Sequence, residues 1–177
     1  DCDDTNLMVK ALNSNDRDFN VGAAGTTMRF LTAFLSKVVG EWTITGTERM
    51  KNRPIKVLVD ALNALGARIE YMEKEGYPPL RIFGSALQGG EISLPGNVSS
   101  QYISAILMIA PLTENGVMLH LEGAIISRPY IHITLQLMEQ YGVRASWTEN
   151  TIKVLPQEYK PIRFYGGIRL ECRFLLV

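Results

Sequence analysis

The sequence predicts an α/β fold in which helices pack together against short β-sheets. Three observations predict it: apolar residues recur at helical spacing, β-rich segments follow these helices, and the order of segments occurs twice. The chain of 177 residues is long enough to bury a substantial core.

A helix followed by a strand opens each copy of the repeat. Residues 26–46 read TTMRFLTAFLSKVVGEWTITG, and residues 99–123 read SSQYISAILMIAPLTENGVMLHLEG. Each segment begins with paired hydroxyl residues, which favour helix N-termini, and continues with an apolar helix pattern. Each then ends in a strand pattern that stops at glycine.

The second helix of each copy begins at an Arg-Pro pair. Residues 52–72 read NRPIKVLVDALNALGARIEYM, and residues 127–147 read SRPYIHITLQLMEQYGVRASW. Proline early in a helix and glycine after its end are typical punctuation. Helical spacing predicts the residues that face the core, namely Ile55, Leu58, Val59, Leu62, Leu65, Ile131, Leu135, Met138 and Tyr141.

Two short strands are predicted to close each copy, within residues 79–96 and 151–165. The copies then span about residues 25–96 and 97–165 of one domain, residues 1–165. Residues 166–177, GGIRLECRFLLV, alternate apolar and charged side chains, which predicts a strand where the repeat predicts a helix. We interpret this segment as an atypical C-terminal tail, either native or the product of an engineered join or a frame change.

Composition argues against several classes of partner. Lys plus Arg and Asp plus Glu number 18 each, so no general basic surface is predicted for nucleic acid or acidic membranes. Cys2 and Cys172 form no disulfide framework and, with the two histidines, no metal-binding spacing, which is typical of a reducing cytoplasm. The apolar runs are too short to span a membrane. We expect a cytoplasmic protein without a metal, nucleic acid or membrane.

An arginine at the start of a helix predicts a bound anion. Arg29 lies in the first turn after GAAGTT, where the positive end of the helix dipole disfavours a cation. An oxyanion between the guanidinium and the helix N–H groups would explain this position. Gly25 allows close backbone approach, and Thr26 and Thr27 can cap the helix or donate hydroxyls. Ordinary capping with a surface arginine is the alternative.

Similar residues occur at two other helix starts and in one loop. They are Ser99, Ser100, Gln101, Ser127 and Tyr130 at the helix starts, and Arg49, Lys51 and Arg53 in the loop GTERMKNRP. Taken singly, each group is explained by capping or by a solvated surface. The repeat places all of them at one end of the unit, which favours a shared site.

In order along the chain, these motifs resemble the 5-enolpyruvylshikimate-3-phosphate synthase family. The segments that carry the resemblance are DDTNLMVKAL, AAGTTMRFLTAFL, GTERMKNRPIKVLVDALNALGA, YPPLRIFG, SSQYISAILMIAPL and SRPYIHITLQLMEQYGV. The resemblance implies an enolpyruvyl transferase fold, an inside-out α/β barrel of repeated βαβαββ-type units with helices inside and sheets outside. Residues 1–165 would form part of the first of two domains.

The family transfers the enolpyruvyl group of phosphoenolpyruvate to the 5-hydroxyl of shikimate 3-phosphate, without a cofactor, in chorismate and aromatic amino-acid biosynthesis. The resemblance implies that phosphoenolpyruvate contacts Gly25, Thr26, Arg29, Arg49 and Gln101. It implies that shikimate 3-phosphate contacts Ser99, Ser100, Gln101, Ser127 and Tyr130. Arg128 occupies the basic position beside Ser127. Family members are usually monomeric and bind their ligands between two domains.

The chain departs from the family where the reaction requires proton transfer. It lacks the early Gly-Ser-Lys segment and the acid–base Asp and Glu of the second domain, and Phe30 stands where proline is frequent. We therefore expect a partial substrate site, no catalytic residue and no turnover by this chain alone. Two alternatives stay open. One is a non-catalytic α/β binding or scaffold module, and the other is a UDP-N-acetylglucosamine enolpyruvyl transferase.

Overall fold

The computed structural model describes residues 3–161 as two β-sheets and a layer of helices. In chain order the elements are α1 (Asp3–Asn13), β1 (Asp18–Asn20), α2 (Gly25–Lys37), β2 (Gly40–Thr45), α3 (Glu48–Lys51), α4 (Lys56–Ala64), β3 (Arg68–Tyr71), β4 (Leu80–Gly84), β5 (Gly90–Pro95), α5 (Ser100–Ile109), a 3₁₀ turn (Ala110–Leu112), β6 (Val117–Glu122), α6 (Arg128–Gln140), β7 (Ala145–Thr148) and β8 (Thr151–Val154). The predicted tail at 166–177, and most of the strand predicted to end at Tyr165, lie outside the described residues.

The two sheets share one topology. The strand order is β1-β2-β4-β3 in the first sheet and β5-β6-β8-β7 in the second. In each sheet the first two strands pair in parallel, and the remaining pairs are antiparallel. Parallel neighbours need a crossover connection, which α2 and α5 supply. Each sheet with its helices is therefore one βαβαββ unit, and the predicted duplication is confirmed.

Strand β5 belongs to the second unit, which corrects the predicted repeat boundary. It pairs with β6 from Gly90↔Val117 to Pro95↔Glu122 and so opens the second sheet. Strand β4 instead pairs with β2 and β3 in the first sheet. Both segments are strands, as predicted, but treating them as one closing pair was wrong. Alternation identifies a strand and carries no information about its partner.

The helices form the interior layer, with α5 in contact with α2, α4 and α6. Ile103, Ile106 and Leu107 of α5 are 0% exposed. The predicted core faces are confirmed, because Ile55, Leu58, Val59, Leu62, Leu65, Ile131, Met138 and Tyr141 are buried and Leu135 packs against them. Exposure alternates along β1 and β5, so each sheet has a buried face and a solvent face. The helices therefore lie inside and the sheets outside, which is the arrangement that the predicted fold class implies.

The segment after β8 is fastened to the helical layer by Tyr159. Its side chain is buried, and its hydroxyl donates a hydrogen bond to the carbonyl oxygen of Met108 at 2.8 Å. The backbone N–H groups of Gln157 and Lys160 donate to the carbonyls of Pro111 and Tyr141. Burial raises the pKa of the Tyr159 phenol above its ordinary value.

We expect the protein to lose stability as the pH rises above about 10. The unfolded chain then releases the Tyr159 proton while the folded form keeps it. The contribution of Tyr159 to the free energy of unfolding is therefore complete at pH values below the pKa of this phenol in the unfolded chain, and it is lost as the pH rises above that value. Burial also raises the pKa of Tyr71 to about 12, in the same direction. Urea titrations at pH about 8 and about 10.5 should show a smaller loss of unfolding free energy in Tyr159→Phe than in the native chain. Equal losses would contradict the role of Tyr159.

Candidate anion-binding site

The N-terminal ends of α2 and α5 meet at a side-chain hydrogen bond. Gln101 Nε2 donates to Thr26 Oγ1 at 3.1 Å, between residues 75 positions apart in the sequence. Ser99 is the N-cap of α5, as predicted, and its hydroxyl accepts from the Gln101 N–H at 3.3 Å. The Gly25–Thr26 corner and the Ser99–Gln101 corner therefore form one surface.

Gly25 lies beneath two guanidinium groups. A Cβ atom built on Gly25 would lie 2.9 Å from Arg29 Nη1 and would collide with Arg53 Nη1. Gly25 is the first residue of α2 and is not among the residues with positive φ. Glycine at this position therefore allows the close approach of two side chains and is not explained by an unusual backbone conformation.

Arg29 is buried without an acidic partner among residues 3–161. It is 6% exposed, its Nη1 donates to the Gly25 carbonyl at 2.7 Å, and its guanidinium carbon lies 5.4 Å from the Tyr102 ring centroid. Its Nε is buried and has no hydrogen-bond partner within residues 3–161. Burying a charge without a counter-ion is costly. An oxyanion would satisfy both the charge and the unused donor.

Arg53 reaches the same glycine from the segment that precedes α4. The next residue, Pro54, accepts a hydrogen bond from Tyr102 Oη at 2.7 Å, which joins this segment to α5. In the described part of the chain, no hydrogen bond or ion pair engages the Arg53 guanidinium. The sequence placed Arg53 among clustered cations at the end of the unit that favours a shared site, but it assigned no ligand to Arg53.

The first N–H groups of α2 are already occupied by a side chain of α1. Asp4 Oδ1 accepts from Thr26 N at 2.9 Å and from Thr27 N at 3.4 Å, and Thr27 Oγ1 donates to the Asp4 carbonyl at 2.8 Å. Ala24 is the N-cap and provides no side-chain bond, so of the two expected roles of the threonines, capping or hydroxyl donation, Thr27 shows hydroxyl donation. A further anion would be held by the guanidinium groups, not by these two N–H groups.

Replacing Asp4 with alanine is expected to lower the free energy of unfolding by about 1–2 kcal/mol. The change removes an acceptor from two helix N–H groups and a negative charge from the positive end of α2. Urea denaturation measures the loss. Asp60→Ala is the matched control, because Asp60 pairs only at the surface with Lys56 at 3.5 Å. A loss as large in the control would contradict the capping role of Asp4.

Arg49 lies on the short helix α3, where the sequence predicted a loop. Thr47 caps this helix by accepting from Met50 N at 3.4 Å, and Thr47 N donates to the Gly22 carbonyl at 3.0 Å. Helix α3 therefore lies beside the loop that leads into α2. The Arg49 side chain is exposed and makes no hydrogen bond or ion pair with any residue between 3 and 161.

Ser127 lies beside the turn that precedes α5. The N–H of Ile126 donates to the Gly96 carbonyl at 3.3 Å, which brings the two loops together. Ser127 occupies the N-cap position of α6, as predicted, but its hydroxyl makes no cap bond. Tyr130 is 65% exposed one residue beyond Pro129. Neither side chain is hydrogen-bonded to the Gly25 corner.

Arg128 is the repeat counterpart of Arg53 and has a different environment. Its guanidinium carbon lies 5.1 Å from the Trp147 ring centroid, and its Nη2 donates to Asn150 Oδ1 at 3.3 Å. The second Arg-Pro pair therefore interacts with its own sheet. The second unit repeats the fold of the first, but it does not repeat the pair of guanidinium groups, Arg29 and Arg53, that lie beside Gly25.

Two other kinds of feature are absent from residues 3–161. No group of three or more His, Cys, Asp or Glu side chains is placed to hold a metal ion. No helix in that range has both the length and the apolar character needed to cross a bilayer. A cleft of about 220 Å³ between α1 and β1 is lined by residues such as Lys10 and Asp16, and by none of the predicted site residues.

Comparisons with known proteins agree with the resemblance. The sequence profile of EPSP synthase (3-phosphoshikimate 1-carboxyvinyltransferase) matches residues 4–165. A 3-phosphoshikimate 1-carboxyvinyltransferase of Bacteroides fragilis is 59% identical over 165 residues, which cover 93% of this chain and 40% of that protein. A protein of the same name from Vibrio cholerae is 51% identical over 124 residues, which cover 70% of this chain and 29% of that protein.

Solved structures share the same architecture. An EPSP synthase from Acinetobacter baumannii superposes with a TM-score of 0.72 at 24% identity, over 83% of this chain and 32% of that one. A second structure of EPSP synthase from the same species has a TM-score of 0.70 at 25% identity. The fold is therefore the enolpyruvyl transferase fold, and this chain spans about 40% of the length of its Bacteroides fragilis relative. Because the profile covers residues 4–165, the chain belongs to the EPSP synthase family.

Proposed function

We propose that this chain forms part of the substrate site of a 3-phosphoshikimate 1-carboxyvinyltransferase, which transfers the enolpyruvyl group of phosphoenolpyruvate to the 5-hydroxyl of shikimate 3-phosphate. The observation that carries the proposal is the buried guanidinium of Arg29, whose Nε has no partner within residues 3–161. The names of the relatives support this choice of substrates.

Phosphoenolpyruvate is assigned to the arginine side of the site. Its phosphate and carboxylate groups match the planar donor fork of arginine, and Arg29 and Arg49 supply two such forks. Gly25 lies beside Arg29 Nη1, and we assign the Thr26 hydroxyl to the same ligand. Gln101 is bonded to Thr26 at 3.1 Å, which supports the proposal that it contacts both substrates.

Shikimate 3-phosphate is assigned to the serine side of the site. The assigned residues are Ser99, Ser100, Gln101, Ser127 and Tyr130. They lie at the N-terminal ends of α5 and α6, where the positive end of the helix dipole favours a phosphate group. Their hydroxyl and amide groups can both donate to and accept from the ring hydroxyls of the substrate.

The contribution of this chain is binding and electrostatic stabilisation. Two anionic substrates held side by side react from a defined orientation, and fixed guanidinium groups stabilise charge on the departing phosphate. Asp4 is bonded to the N–H groups of α2, so we give it no part in proton transfer. We assign no catalytic residue and no cofactor to the chain and expect no turnover by it alone.

The remainder of the complete enzyme is proposed to cover an apolar face of α6. Tyr130, Ile133 and Leu137 are 65%, 59% and 45% exposed and recur at helical spacing.

We propose that residues 1–165 are a partial domain, that a second domain completes the cleft, and that the enzyme is a cytoplasmic monomer. The tail at 166–177 is assigned no role in this site.

Calorimetric titration of the 177-residue chain with shikimate 3-phosphate tests the proposed function. We expect binding that weakens by about tenfold or more in Gln101→Ala, because a substrate contact and the bond to Thr26 are lost. Gln136→Ala, an exposed change on α6, is the matched control and should bind like the native chain. No heat of binding in the native chain would favour a non-catalytic module, and a response to a UDP-sugar would favour the related transferase.

Replacing Arg49 with alanine is expected to lower kcat/KM by about 100-fold or more. The measurement uses a protein that contains this chain and has the full length of its relatives. The exposed Arg49 guanidinium has no partner within the described residues, so its loss removes a ligand contact without disturbing packing. Arg68→Ala removes a charge that is paired at the surface with Glu70 at 2.8 Å and serves as control. Near-normal kinetics in Arg49→Ala would rule out a substrate-binding role for Arg49.

A further inference from the structure

Two guanidinium groups converge on one glycine. The position of a Cβ atom on Gly25 would be 2.9 Å from Arg29 Nη1 and in collision with Arg53 Nη1. Like charges this close repel each other, especially where one of them is shielded from water. The arrangement is unfavourable unless an anion lies between or beside the two groups.

No acidic side chain in the described range compensates these charges. The ion pairs of residues 3–161 engage Lys51, Lys56, Arg68, Arg81 and His120, and none engages Arg29 or Arg53. Independently, Arg29 is only 6% exposed and its Nε is buried without a partner. The charge and the unused donor both indicate an oxyanion ligand.

Arg53 differs from its neighbours in the cation cluster. Lys51 is paired with Glu73 at 2.9 Å, and Arg49 lies on α3. The backbone around Arg53 is fixed on both sides, because its N–H donates to the Met50 carbonyl at 2.9 Å and the Pro54 carbonyl accepts from Tyr102. The Arg53 side chain is exposed whereas Arg29 is buried, so an anion can enter from the Arg53 side.

We propose that Arg53 is a further anion-binding residue, which together with Arg29 grips one oxyanion of the substrate across Gly25. This inference rests on the proposed function and deepens it, because it adds a residue and names the group that the residue binds. The bound group is a phosphate or carboxylate oxyanion of the enolpyruvyl donor. Gly25 sets the space available to that group, since any side chain there would displace the Arg53 guanidinium.

The test is titration of the 177-residue chain with inorganic phosphate and with phosphoenolpyruvate at constant ionic strength. In Arg53→Gln we expect the dissociation constant for phosphoenolpyruvate to rise at least about tenfold. The dissociation constant of Arg53→Lys should lie between those of the native chain and of Arg53→Gln, because an ammonium group keeps the charge but not the planar donor fork of arginine. The control Arg81→Gln removes an equal charge from a surface pair with Glu41 at 3.5 Å and should change affinity by less than about twofold.

The two ligands show which oxyanion is gripped. Parallel weakening for phosphate and phosphoenolpyruvate in Arg53→Gln assigns the phosphate, and weakening for phosphoenolpyruvate alone assigns the carboxylate. The proposal is overturned if Arg53→Gln binds phosphoenolpyruvate as the native chain does, or if the native chain binds neither ligand. Shikimate 3-phosphate binding that depends on Gln101 but not on Arg53, with phosphoenolpyruvate affinity unchanged in Arg53→Gln, would leave the proposed function standing without this inference.

Discussion

Replacing Arg29 with methionine is expected to raise the dissociation constant for phosphoenolpyruvate by about 100-fold. The variant loses the charge-assisted hydrogen bonds that a buried guanidinium makes to an oxyanion. In the absence of ligand, the free energy of unfolding should stay within about 1 kcal/mol of the native value. The lost bond from Nη1 to the Gly25 carbonyl is offset by removal of a buried charge that has no counter-ion in the described part of the chain. Calorimetry and urea denaturation measure the two quantities.

The control for this change is Arg17→Met. Arg17 lies over the Trp42 ring, with 5.6 Å from its guanidinium carbon to the ring centroid, on an exposed part of the first unit. Affinity should therefore be unaffected by the control. If Arg29→Met unfolds readily but binds phosphoenolpyruvate like the native chain, Arg29 serves the structure and not the ligand.

Replacing Gly25 with alanine is expected to weaken phosphoenolpyruvate binding by about tenfold or more without lowering stability. Alanine is a better helix former than glycine, and Gly25 is not among the residues with positive φ. The added Cβ instead displaces the Arg53 guanidinium and lies 2.9 Å from Arg29 Nη1. Affinity and unfolding free energy should thus change independently.

The double variant Gly25→Ala with Arg53→Gln separates this mechanism from a general disturbance. If alanine acts by displacing Arg53, the second change adds little to the first, and the effects on binding free energy are strongly non-additive. Fully additive effects would show that the methyl group blocks the ligand directly, shifts Arg29 or distorts α2, and would contradict displacement of Arg53 as the mechanism.

Local patterns were sufficient to predict most of the helices and their buried faces. The spacing of Ile55, Leu58 and Leu62 identified the core side of α4, because periodicity reports burial directly. The hydroxyl pair before Gln101 indicated an N-cap at Ser99 or Ser100 for a similarly local reason, and Ser99 is the N-cap in the structure. Recognition of the family was also a reading of local motifs, and it covers the same residues.

Contacts between distant segments could not be predicted in the same way. Asp4 accepts from Thr26 and Thr27 across more than 20 positions, and no spacing rule links an acidic residue in α1 to the start of α2. The partner of β5 was misjudged for the same reason. Arg53 and Arg128 share the same motif, yet one meets a glycine and the other an aromatic ring. Tertiary packing alone distinguishes them.

The most direct test of the anion site is a crystal structure of the chain with phosphoenolpyruvate. We expect a phosphate or carboxylate oxygen within about 2.7–3.2 Å of Arg29 Nε, with the Arg53 guanidinium on the same ligand group and the backbone of Gly25 beneath it. An anion bound away from Gly25, with Arg29 Nε in contact only with protein atoms, would contradict the proposed site.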